Sequence, residues 1–185
     1  MTGFAVCGSF CTHARTLSLM RALAKDGEIL PILSDTAYTT DTRFGKADEF
    51  VHTVTEICGR APIRTVAEAE PIGPLGMTDV MLIAPCTGNT LAKLAHGITD
   101  SSVTMAAKSH MRTSKPLVIA LATNDAMSSN LVNIGTLLNR KGVYFVPLVQ
   151  DDTVMKPHSL VCDFSLARDA IAAALQGEQL RPLFR

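Results

Sequence analysis

The chain has 185 residues, 47% of them hydrophobic, and its 17 Lys and Arg balance its 17 Asp and Glu to a formal net charge of zero. That length suits one domain, 1–185, burying about 70% of its unfolded surface without cross-links, and the apolar content excludes a disordered chain. The even charge argues against nucleic-acid and anionic-membrane partners.

The five cysteines, Cys7, Cys11, Cys58, Cys86 and Cys162, are odd in number and scattered, which is no disulfide framework. Cys7 and Cys11 lack the second ligand pair that structural zinc needs. The amino-terminal stretch has no basic region followed by a long apolar core, and no run approaches the ~20 residues of a membrane span. A reducing cytoplasm is the simplest compartment.

In chain order, short apolar runs alternate with helical patterns. Phe4–Cys7 reads as a first strand, followed by a helix Thr16–Lys25 with Leu17, Met20 and Ala24 on one side. Ile29–Leu33 is a second strand, where Pro31 removes a ladder donor and argues against a central position. Gly45–Cys58 is helical by pattern through Phe50, Val54 and Ile57. Residues 60–78 read as a loop with one short strand near Ile63–Val66. Val80–Ala84, Leu117–Ala122 and Val143–Pro147 are further strands. After Ser128–Ser129, an N-cap pair, Leu131, Ile134 and Leu138 form a stripe that Gly142 stops. A last helix follows Asp163 through Phe164, Ala167, Ile171 and Ala174. Strands apolar on both faces and separated by helices predict an α/β, Rossmann-like, doubly wound parallel sheet with helices on both faces.

Ligands in such sheets bind beyond the strand carboxyl ends, where the strand order reverses. The loops there are Gly8–Thr12, Ser34–Thr40, Pro85–Thr90 and Thr123–Ser129. Gly8, Ser9 and Thr12 form either a phosphate cradle at a helix start or a plain capped turn. In Ser34-Asp35-Thr36, the acid suits a ribose and the hydroxyls suit a phosphate. Pro85–Thr90 offers small polar groups without charge, suited to a heterocycle and a polyol chain, although Asn89 could simply cap the helix Thr90–Ala95 and Gly97 end it. Cys86 has no base placed by sequence, so inert packing is the simpler reading. The five histidines show no metal spacing. Lys108 and Arg112, one turn apart, read as a solvated face or a carboxylate grip.

The GSF loop, Ser34 after strand two, and PCTGNTLAKLAHGITD followed by MAAKSHMRTSKPLVIA resemble the flavoprotein superfamily of FMN-dependent cysteine decarboxylases and flavin prenyltransferases. The similarity runs from about Phe4 to Phe184 and is densest over Val80–Pro147. Within it, ATNDAMSSNLVNIGTLLNRKGVYFVPLVQDDTVMKPHSLV and ALQGEQLRPLF resemble the dipicolinate synthase B subunits. The decarboxylases' histidine is missing from EPIGPLGMTD. The prenyltransferases' Arg-Ala-Ala and Arg-Glu are here Met105-Ala106-Ala107 and Ala122-Thr123, Arg112 stands where they have Lys, and no Tyr precedes Lys156-Pro157.

The resemblance implies bound FMN and a homo-oligomer, a trimer or a multiple of one. It implies oxidation of dihydrodipicolinate to dipicolinate during spore formation, alongside an A subunit carrying NAD(P). A prenyltransferase-like activity and a non-catalytic flavin-holding subunit are the alternatives. By match to the superfamily, Gly8, Ser9 and Phe10 lie near the ribityl phosphate, Ser34 on the phosphate, and Cys86, Thr87, Asn89 and Thr90 along the flavin. Thr123 and Asn124 lie at its far edge. Position alone assigns Asp125 to proton handling and Arg112 to carboxylate binding.

Overall fold

Five strands share one direction: β1 (Thr2–Val6), β2 (Ile29–Leu33), β3 (Val80–Cys86), β4 (Leu117–Thr123) and β5 (Val143–Phe145). A computed structural model describes residues 1–185. With β6 (Leu148–Val149) and β7 (Leu160–Cys162), the sheet order is β2-β1-β3-β4-β7-β6, and β5 also pairs with β4. Phe4, Leu82, Ile83, Ile119 and Leu121 are fully buried, which a parallel sheet covered on both faces requires. Each such side chain is worth about 1.5–3 kcal/mol of apolar burial. No helix is long and apolar enough to cross a membrane.

The helices are α1 (His13–Ala24), α2 (Asp35–Thr39), α3 (Ala47–Cys58), α4 (Val66–Ala69), α5 (Gly88–His96), α6 (Ser102–Met111), α7 (Leu131–Leu138) and α8 (Ala167–Leu175). Helix α1 begins three residues before the sequence reading, because a 3-10 turn, Phe10–Thr12, leads directly into it. Its buried stripe is Thr16, Leu19, Met20 and Leu23, flanked by the half-buried Leu17 and Ala24. The cap of α7 is Asn130 rather than the Ser128–Ser129 pair, which lies in the preceding turn.

Pro31 sits in the edge strand, as its missing donor demands. Ile63 covers that edge: its N–H donates to Pro31 O at 2.9 Å and its carbonyl accepts from Leu33 N at 2.9 Å. The strand expected over Ile63–Val66 is only this bridge. The rest of 60–78 is more regular than a loop. Thr65 and Glu68 form a reciprocal capping box that starts α4. A 3-10 turn, Glu70–Ile72, then meets α6, where Ser109 Oγ donates to Glu70 O.

The strand expected over Val143–Pro147 divides in two. Val146 N bonds Ile119 O at 2.9 Å, Pro147 has no N–H to continue the ladder, and the chain resumes as β6 (Leu148–Val149). This strand pairs antiparallel with β7 (Leu160–Cys162), which pairs antiparallel with the last residues of β4. The sheet is therefore mostly, not wholly, parallel.

His110 locks the amino-terminal end of the sheet. Its Nε2 lies 2.9 Å from Pro116 O, which can only accept, so Nε2 carries the proton. Nδ1 then accepts from Thr78 Oγ1 at 2.8 Å. Burial pushes the His110 pKa below its ordinary 6.5, outweighing the Pro116 contact. The unfolded state thus binds more protons below pH 6.5, so stability is complete above that pH and falls beneath it. We expect urea midpoints to drop between pH 7 and pH 5, and to drop less in His110→Gln, which is less stable throughout; an equal pH slope in both would contradict this assignment.

Candidate active site at the strand carboxyl ends

The strand order reverses between β1 and β3, so their outgoing loops diverge and leave a crevice. Four links fix the crevice walls. Cys7 N donates to Pro85 O at 3.2 Å, and Ser34 N to Val6 O at 3.0 Å. Cys7 Sγ meets Thr90 Oγ1 at 3.3 Å, and Thr87 Oγ1 donates to Thr90 Oγ1 at 3.1 Å.

Thr87, not Asn89, is the N-cap of α5, accepting from Thr90 N at 3.3 Å. The helix begins at Gly88 and ends on Gly97 at φ 72°. Asn89 therefore sits in the first turn, exposed, with its amide unpaired. Ser34 caps α2 by accepting from Ala37 N at 3.2 Å, which leaves its hydroxyl proton free.

The backbone N–H groups of Gly8, Phe10, Cys11, Asp35, Thr36, Gly88 and Asn89 make no hydrogen bond within the chain. They crowd one end of the sheet, where helix starts add positive potential. The four loops carry no Lys or Arg, only Asp35 and Asp125. This shelf can take acceptor atoms and anionic oxygen through N–H groups alone.

The sequence-selected residues divide by what their side chains already do. Ser9, Ser34, Asn89 and Asn124 keep polar groups free. Thr87 spends its hydroxyl on Thr90, and Thr90 joins the first loop through Cys7. Phe10 turns its ring onto His13, 5.1 Å between centroids, so its N–H is what it offers the shelf. Cys86 has its thiol wholly buried, not along the shelf. Burial, with Cys7 and Cys162 adjacent, raises its pKa well above the usual thiol value. Cys7 is pushed up to about 11 by burial. Neither is a thiolate nucleophile.

Asp125 is at the shelf and holds a partner on each oxygen. Thr123 Oγ1 donates to one carboxylate oxygen at 2.6 Å and Asn130 Nδ2 to the other at 2.9 Å. Asn133 Nδ2 supports Asn130 Oδ1 at 2.9 Å. Gly88 rests on this network: a Cβ there would lie 2.6 Å from Asn130 Nδ2 and Thr123 Oγ1 and 2.8 Å from Asp125 Oδ1. The carboxylate holds the start of α5 in place, with both of its oxygens already accepting.

Arg112 requires a correction. Helix α6 starts beside β2's carboxyl end, where Ser102 Oγ donates to Leu33 O at 2.6 Å. It finishes with His110 on Pro116, just before β4. Arg112 follows at the opposite end of the sheet, exposed, and cannot join the shelf of its own chain.

Sequence reasoning passed over His13, Gly88, Asn130 and Asn133. His13 Nε2 donates to Cys7 O at 3.0 Å and its ring stacks on Phe50 at 4.4 Å. Burial lowers its pKa, so the ring is a neutral buttress of the first loop. The buried Asn130 and Asn133 were visible as paired amides, three apart, at the start of an apolar stripe. No group of three His, Cys, Asp or Glu side chains converges to hold a metal.

A family model described as Flavoprotein matches residues 3–176. The B subunit of dipicolinate synthase from Bacillus subtilis (strain 168) is 38% identical over 182 residues, 98% of this chain and 91% of that protein. The crystal structure of the corresponding B subunit from Bacillus halodurans superimposes with a TM-score of 0.91 at 39% identity, covering 100% and 95% of the two chains. The FMN-dependent cysteine decarboxylase SpaF shares the fold, with a TM-score of 0.71, 23% identity and 95% coverage of each chain. The chain belongs to the flavoprotein family and, within it, to the dipicolinate synthase B subunits.

Two glycine substitutions separate close packing from backbone freedom. Gly88→Ala drives a methyl into three held polar atoms and should destabilise by about 1–3 kcal/mol. Gly135→Ala, in α7 with nothing within 4 Å of the new Cβ, should stabilise by roughly 0.5–1 kcal/mol. Urea unfolding of both variants measures the difference, and equal effects would contradict the packing described for Gly88.

Proposed function

We propose that the strand-end shelf holds FMN and that the protein acts in oxidising dihydrodipicolinate to dipicolinate, together with an A subunit that carries NAD(P). The observation that carries the cofactor reading is the set of free N–H groups at the β1/β3 crevice. FMN presents phosphate, ribityl and ring oxygens that need donors, and it supplies hydride-level redox chemistry when bound. Membership of the flavoprotein family supports the same ligand.

The residues divide the work by location. The N–H groups of Gly8 and Phe10, with the free hydroxyls of Ser9 and Ser34, would take the phosphate end. The start of α5, with the Asn89 amide, would take the ring, and Asn124 would meet its far edge. Thr87, Thr90, Thr123 and Asp125 act behind these groups, fixing the shelf before the ligand arrives. Cys86 only fills the core beneath.

Because each Asp125 oxygen already accepts from Thr123 or Asn130, we assign Asp125 to positioning rather than to proton handling. A dicarboxylate substrate also needs cations, and the shelf loops have none. Outside the loops, Lys46 lines a pocket with Phe10 and Lys156 lies near Cys11; further charge would come from another chain, either the A subunit or a second copy presenting its Arg112. This accords with a homo-oligomer of cytoplasmic subunits working with a partner.

Purified protein should bind FMN, quench its fluorescence and turn yellow. Asn89→Leu should weaken that binding by at least tenfold, the order expected when a buried ligand acceptor loses its donor. Cys86→Ala should leave it within about twofold, as a core change away from the ligand. Mixed with the A subunit, NAD(P) and dihydrodipicolinate, the protein should raise dipicolinate output. Colourless protein without measurable FMN affinity contradicts the cofactor reading, and output unchanged by Asn89→Leu supports a merely structural subunit.

A further inference from the structure

A partly open recess lies away from the shelf, between the end of α5, the outer half of α6 and the turn after α7. Its volume is about 160 Å³, below the roughly 300–1,000 Å³ of pockets for drug-sized ligands and suited to a single small ring. Leu94, Ile98 and Met111 give it apolar surface, and Thr104, Lys108 and Met111 recur along one side of α6. Lys108 reaches it from α6 and Arg140 from the turn after α7.

The charge here is uncompensated. No acidic residue lines the cavity, and neither Lys108 nor Arg140 enters any of the chain's ion pairs. The carboxylate closest in sequence, Asp100, is turned onto Lys93, whose Nζ donates to its two oxygens at 2.9 and 2.8 Å. Two cations from separate elements therefore face an apolar recess without a partner. Each alone on a surface would contribute little. Together beside an apolar wall they select a ligand that is anionic at one end and apolar over its body, with the Arg140 fork suited to a planar carboxylate.

We propose that this cavity is a binding site for a small ring carboxylate, held by Lys108 and Arg140 with its ring on Leu94, Ile98 and Met111. Within one chain the site is separate from the strand-end crevice, and it does not depend on the flavin reading. Inorganic phosphate shares the charge but lacks the apolar body, so it binds more weakly.

The test uses the intact chain with methyl-labelled Met and Ile, titrated with pyridine-2,6-dicarboxylate and, separately, with inorganic phosphate. The dicarboxylate should shift the Met111 and Ile98 methyl signals saturably, and phosphate should need at least about tenfold more to do so, the order of one lost apolar contact set. The double variant Lys108→Met, Arg140→Met should raise the dicarboxylate Kd at least about tenfold, as loss of two charge-assisted contacts requires, while other methyl signals stay in place. Both positions are exposed, so folding should be unaffected. No saturable shift at Met111, an unchanged Kd in the double variant, or equal affinity for phosphate would overturn the proposal.

Discussion

The structure depends on how the ends of β1, β2 and β3 are joined. Three parallel strands must finish level with one another while their chains leave in different directions. The bonds from Cys7 N to Pro85 O and from Ser34 N to Val6 O set that level. The Thr87–Thr90–Cys7 chain then ties the outgoing loops together. Because these contacts are made within the protein, the remaining N–H groups of the same loops are left pointing outward. The crevice is thus a consequence of strand order, and its donor-rich character follows from which groups the strand ends consume.

A second division runs along the strand direction. The carboxyl end has donors and two carboxylates but no cation in its loops, while Arg112 and the Lys108–Arg140 recess sit on elements that lead away from it. Under the proposed reading, the donor-rich surface would meet the flavin and an assembly would bring further charges that a dicarboxylate needs. Asp125 illustrates the same economy. Its carboxylate, held by Thr123 and Asn130, stiffens the start of α5 under Gly88.

Much of the fold was legible in the sequence because buried parallel strands leave continuous apolar runs, as Val80–Ala84 and Leu117–Ala122 do. Pro31 even announced its edge position. The antiparallel β6 and β7 were not legible: at two and three residues they are too short for periodicity, and Pro147 conceals where one strand ends and the next begins. The loops of the site were found by topology, yet the roles within them were not. The sequence reading of Cys86 as inert packing competed with its place along the ligand in the resemblance, and burial separates the idle thiol from the exposed Asn89 amide. Arg112 lies away from the shelf of its own chain for a different reason. A local resemblance fixes a residue's helix, but the direction of that helix across the sheet decides which end the side chain serves.

The most direct test of the central claim is a crystal structure of the protein soaked with FMN. One flavin should occupy the β1/β3 crevice, its phosphate at Ser9, Phe10 and Ser34 and its ring against the first turn of α5 beside Asn89. An empty crevice at saturating FMN, or a flavin seated elsewhere on the chain, would contradict that claim.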